Sequence, residues 1–171
     1  GFATDTGFFK FIGPYRGETF NLVAELVETG VSPNEVSNQM EGGHTLSSRL
    51  YLGKLLSSTT SLLDGKVMMA IEEEGEFTQY QPSDRPSDSL YGHLLGIEGV
   101  QAILYFKHLD TDIWEIGFRS AHTSIIDVGK IAASFGGGGH RKAAGATIKL
   151  PFDAIKEQLL SLIEAQLNTQ K

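Results

Sequence analysis

Phe135-Gly136-Gly137-Gly138-Gly139-His140-Arg141-Lys142 is the stretch on which the reading of this chain turns. Four consecutive glycines cost conformational entropy and pack nothing, so they belong where backbone passes close to a ligand or takes positive φ. Successive amides in such a run form a concave anion nest, and a helix starting after it would add its positive end. His140, Arg141 and Lys142 then supply up to three donors. The plain alternative is a flexible linker, but linkers mix in serine between polar flanks. This run instead follows Phe135 at an apolar helix end and precedes Ala143-Ala144-Gly145. It also lacks the order of residues that makes a Walker loop. The expectation is an anion-binding loop for a phosphate.

Charge points the same way. The chain of 171 residues carries a net charge of −7, so a broad basic face for coating long duplexes is not expected. Yet from Val128 to Phe152 no acidic residue occurs, while Lys130, Arg141, Lys142 and Lys149 do. Acids gather elsewhere, at Glu72, Glu73, Glu74 and Glu76. Phosphate contacts should be local and few. No apolar run approaches the roughly 20 residues that span a bilayer, so no membrane partner is expected. The opening Gly1-Phe2-Ala3-Thr4-Asp5 has no signal-peptide character, and cysteine is absent. Disulfides and thiolate metal sites are therefore excluded, and a cytoplasmic location is expected. A first residue other than Met, placed inside what reads as a motif, suggests a piece of a longer protein.

Outward from the run, Asp127 to Phe135 reads as a helix and Ala144 to Leu150 as a strand. Pro151 opens a last amphipathic helix, with a frayed tail from Asn168. Upstream, Val100 to His108 and Ile113 to Arg119 read as strands joined at Asp110-Thr111-Asp112, and Lys66 to Glu72 as another after the Asp64-Gly65 turn. Gln79 to Ser89 reads as a loop into a short helix, Leu90 to Leu95. Before Asp64 the texture is helical: Gly17 to Thr29, a start at Ser32-Pro33-Asn34-Glu35, and Leu46 to Leu63. The hydroxyl-rich Ser57 to Ser61 weakens the last of these. The fold class is α+β: a mixed sheet of about four to five strands flanked by helices, preceded by further helices.

Among other candidates, Arg119-Ser120 ends a strand, where ligand-facing residues often lie, and arginine matches phosphate with a planar fork. A solvated strand-end arginine is the alternative. Asp5, in Thr4-Asp5-Thr6-Gly7, is a carboxylate at a strand-to-loop junction, a fair metal ligand, although taken alone the reading as a turn or cap aspartate is favoured. His44, His93, His108 and His122 form no ligand cluster by spacing, and His122 stands nearest Arg119.

Phe135 to Gly145, FGGGGHRKAAG, resembles the signature loop of the DHH-associated C-terminal domain, first subtype. Gly99-Val100, Gly117-Phe118-Arg119-Ser120, Asp127-Val128 and Ile131-Ala132 fit the segments expected upstream of it. Thr4-Asp5-Thr6-Gly7-Phe8-Phe9-Lys10-Phe11 is similar to the last motif of the DHH catalytic domain. The nearest branch is that of the bacterial oligoribonuclease and 3′-phosphoadenosine-5′-phosphate phosphatase enzymes. The resemblance implies residues 1–35 as the end of a DHH catalytic domain, 36–63 as a linker helix and 64–171 as the substrate-binding domain. It implies a hydrolase using two manganese ions on short single-stranded oligonucleotides or phosphorylated nucleotides. Asp5 would be one metal ligand, and Arg119, Ser120, Gly136, Gly137, Gly138, Gly139, His140 and Arg141 would hold substrate. The Asp-His-His motif itself is absent. One carboxylate does not hold a metal pair, so this chain is expected to bind without hydrolysing, with an apolar patch through which two copies would pair. Related alternatives are a non-catalytic nucleotide-binding module, a cyclic dinucleotide phosphodiesterase, a single-strand exonuclease and an exopolyphosphatase.

Overall fold

A computed structural model of the chain describes residues 2–9, 12–73, 75 and 87–169. They fall into two compact units, Gly1–Thr45 and Leu46–Lys171. Glu74, Glu76, Lys10, Phe11 and most of the loop from Gln79 lie outside the described residues.

The first unit holds α1 (Phe2–Asp5), α2 (Gly17–Glu28) and α3 (Pro33–Glu41). The start of α3 follows its sequence: Ser32 caps it by accepting from the Glu35 amide, and Pro33 occupies the first turn, where its missing N–H costs nothing. Asp5 is not at a strand end. It closes the four-residue α1 and is exposed.

The second unit begins with α4 (Leu46–Ser57), shorter than the helix expected to reach Leu63. The Ser57 and Thr59 hydroxyls donate back to the Gly53 and Leu55 carbonyls, at 2.8 Å each, and the chain leaves the helix into a strand. The unit has six strands: β1 (Thr60–Leu62), β2 (Val67–Glu72), β3 (Ala102–Asp110), β4 (Ile113–Ser120), β5 (Gly138–His140) and β6 (Ala143–Lys149). They form one mixed sheet in the order β1-β2-β3-β4-β6-β5, with β2 and β3 parallel and the other pairs antiparallel. The strands not among the four read from the sequence are the three-residue edge strands β1 and β5, too polar or too glycine-rich to show a strand pattern. Leu63, Asp64 and Gly65 all take positive φ in the turn from β1 to β2. The remaining helices are α5 (Ser87–Leu95), α6 (Val128–Ser134) and α7 (Phe152–Asn168).

Strand alternation gives the sheet two different faces. On one, Val67, Leu104, Phe106, Ile116, Phe118 and Ile148 form a core with Ile131 of α6 and Ile155, Leu159 and Ile163 of α7. On the other, Met68, Ala70, Ile103 and Tyr105 pack under Tyr51, Leu52 and Leu55 of α4 and Leu90, Tyr91 and Leu94 of α5. That second core reaches across β2 and β3 but includes no residue of β4 or β6. The buried Glu72 carboxylate sits within it, accepting a hydrogen bond from the Tyr105 hydroxyl.

Candidate ligand-binding site

Where the second core stops, the sheet is floored by backbone. Cross-strand register aligns Tyr105 with Gly117, Gly117 with Gly145, and Gly145 with Gly138. Three adjacent strands thus place a glycine in one row, and directly paired residues share a face. A cavity of about 600 Å³ opens over this surface, lined by Tyr91, Glu115, Gly117, Arg119, Gly136 and Gly145 among others. No sequence pattern aligns Gly117 with Gly145, because that alignment exists only once β4 and β6 are neighbours.

Arg119 is half-buried at the cavity wall. Its guanidinium carbon lies 4.3 Å from the centre of the Tyr91 ring, and Nη1 donates to its neighbour's carbonyl, Phe118, at 3.0 Å. Farther along β4, Glu115 pairs with Lys107 at 2.6 Å, so that end contributes little net charge. Tyr91 has its pKa pushed up to about 12, chiefly by burial, against the opposing pull of Arg119. The phenol is therefore protonated at neutral pH.

The glycine run differs from the nest expected of it. Gly136 has φ +76° and ends α6: its amide donates to the Ala133 carbonyl at 3.1 Å, and that of Gly137 to Ala132 at 2.9 Å. This double closure is a Schellman motif, and it occupies two of the amides an anion would need. The run leads into a hairpin, β5 to β6, rather than a helix N-terminus. The glycines serve close approach instead. A Cβ at Gly137 would strike Gly145 and Ala146, and one at Gly139, with φ +140°, would strike Ala143 and Ala144. Gly138 has open space around it.

The basic residues around the run separate. Register aligns Arg119 with Ala143 and Ala143 with His140, placing both on one face with their backbones about 10 Å apart, two strand spacings. His140 is exposed. Lys142 turns inward, its Nζ donating to the Ala121 and Ser124 carbonyls at 2.8 and 2.6 Å, and desolvation lowers its pKa. Arg141 lies in another cleft of about 340 Å³, with Asp127, Lys130 and Gln166, and reaches the Ile125 carbonyl at 3.4 Å. Ser120 is buried and donates to the Ile126 carbonyl at 2.9 Å, fixing the turn after β4 instead of lining the cavity. Arg119, Gly136 and Gly137 thus meet at one cavity, and Ser120, Gly138, Gly139, His140 and Arg141 stand outside its lining.

The described residues do not fit a manganese pair. Among the described residues no group of three or more His, Asp or Glu side chains could hold a metal ion, and Asp5 stands exposed on α1. Nor, among them, is any helix long and apolar enough to cross a membrane.

The second unit is thus an α+β fold with one sheet face covered by α6 and α7 and the other half-open, where an arginine stands over a glycine floor. Residues 64–169 match the DHHA1 domain, and the chain belongs to that family. The bifunctional oligoribonuclease and PAP phosphatase NrnA of Thermus thermophilus is 27% identical over 168 residues, covering 98% of this chain and 49% of that protein. The chain spans about half the length of the curated relatives it matches. An exopolyphosphatase-related protein from Bacteroides fragilis shares its fold with a TM-score of 0.83 at 22% identity, covering 100% of this chain and 50% of the other. The pGpG-specific phosphodiesterase PggH from Vibrio cholerae gives 0.54 at 17% identity, covering 90% and 53%. At these identities the structural likeness is one of fold.

Proposed function

We propose that this chain supplies the substrate grip of a phosphoesterase acting on short oligonucleotides or phosphorylated nucleotides, and that hydrolysis needs metal ligands it does not carry. The carrying observation is the cavity over Gly117 and Gly145 with Arg119 on its wall. A guanidinium presents a fork of donors to a phosphate, and a floor without side chains lets a ligand lie against the backbone. His140, on the same face, is the second donor. The names of the relatives, oligoribonuclease and PAP phosphatase, describe ligands of this chemistry. Manganese belongs to the hydrolytic machinery of the whole protein in this reading, with Asp5 the one carboxylate contributed from here.

Titration calorimetry of the chain with a 5′-phosphorylated diribonucleotide tests the grip. Arg119→Ala and His140→Ala should each weaken binding at least tenfold, about 1.4 kcal/mol. Unchanged affinity in both variants sinks the assignment. Robust turnover of the same probe by the chain with manganese sinks the division between gripping and cutting.

A further inference from the structure

Sequence patterning gives Tyr91 no distinction from its neighbours Leu90 and Leu94, and all three are buried on α5. Its surroundings set it apart. The ring packs edge-on against Tyr105, with centroids 6.1 Å apart at 77°. Its hydroxyl end lies over Gly117, where any Cβ would collide with the Tyr91 Oη and Cζ. Glycine at 117 is thus what allows a phenol from α5 to reach over β4. Arg119, two residues along the same strand, stacks its guanidinium on the ring. Tyr91, Gly117 and Arg119 all line the one cavity.

A side chain needed only for packing would be served by phenylalanine, which fills the same volume without a hydroxyl to satisfy. Here the hydroxyl has no hydrogen-bond partner among the described residues, nor is it one of the fully sealed polar atoms. It faces the cavity beside a guanidinium, and one tetrahedral anion can accept from both. We propose that Tyr91 is a specificity-determining residue that donates its hydroxyl to the phosphate gripped by Arg119, while its ring braces the guanidinium. The inference rests on the reading of this cavity as a phosphate grip. The hydroxyl favours ligands with a terminal phosphate over those with a bare sugar end.

The test uses the whole chain with two probes, a 5′-phosphorylated diribonucleotide and the same molecule without its phosphate. Tyr91→Phe should bind the phosphorylated probe roughly tenfold more weakly, as for a lost hydrogen bond to a charged group. Its affinity for the other probe should not move. In an Arg119→Ala background the same change should cost less than half as much, because both groups hold one phosphate. Gly117→Ala, which displaces the hydroxyl by another route, should reproduce the selective loss. Wild-type affinity of Tyr91→Phe for the phosphorylated probe, with Arg119→Ala still defective, overturns this proposal and leaves the grip standing. Equal losses on both probes also overturn it, since they show a bracing role alone. If Arg119→Ala binds normally as well, the grip falls with it.

Discussion

On one face of the sheet, α6 and α7 bury Phe106, Ile116, Phe118 and Ile148 from β3 across to β6. On the other, α4 and α5 cover β2 and β3, and beyond them Glu115, Gly117, Arg119 and Gly145 meet a cavity. The same strands build both faces, so the difference comes from parity. Even-numbered residues of β4 are Trp, Ile and Phe before Ser120; odd-numbered ones from 115 are Glu, Gly and Arg. At β4 and β6 apolar burial is confined to one side, which leaves the other free to keep glycines and an arginine that contribute little to packing.

The contrast can be broken most forcefully at Phe118. Phe118→Ala on the sealed face should cost about 3–5 kcal/mol of stability in denaturant unfolding, and Arg119→Ala, its neighbour on the open face, under about 1 kcal/mol. Equal losses would mean the open face is structural too. Within the glycine run the effects should track space and φ. Gly137→Ala and Gly139→Ala drive a methyl into backbone and should cost up to ~3 kcal/mol; Gly136→Ala, in open space at positive φ, about 1 kcal/mol. Gly138→Ala should stay within about 0.5 kcal/mol. Uniform costs would point to a role for flexibility instead.

The open face should also show itself at high pH. Tyr91 keeps its proton to about 12 when folded, against 10.0 ordinarily, so the folded state holds more protons between those values. Its contribution is complete below pH 10 and lost as pH rises toward 12, of order 2 kcal/mol in all. Tyr105 shifts in the same direction, from burial and the Glu72 carboxylate. Tyr91→Phe should flatten part of the fall in an alkaline unfolding series, and an unchanged slope would contradict the burial of that phenol. A stability effect as small as that of Gly138→Ala is expected of Gly145→Ala, whose Cβ meets only the Ile116 carbonyl at 3.5 Å. It should leave unfolding within about 0.5 kcal/mol yet weaken binding of the phosphorylated diribonucleotide by narrowing the floor.

Much of this is legible in the sequence where the cause is local. The cap at Ser32, the turns at Asp64-Gly65 and Asp110-Thr111-Asp112, and the four longer strands come from residue type and period. Arg119 and the glycine run stand out as unusual residues. Their chemistry is less visible, since a glycine run ending a helix and one opening a helix look alike until the neighbouring strand is known. Tyr91, Gly117 and Gly145 need strand order, which no window of sequence contains. Lys142 and Arg141 are adjacent in sequence and similar in charge, yet one is an internal tie and the other lines a separate cleft.

The sheet is bounded at both ends by strands of three residues, β1 and β5, and β5 is Gly-Gly-His. So short a margin offers a neighbouring chain too few backbone groups to extend the sheet, which protects the molecule from edge-to-edge polymerisation. It also constrains recognition. Under the proposed function, a short nucleic-acid ligand would not imitate a seventh β-strand at the margin; it would lie across the bare glycine row, where the sheet is entered from above.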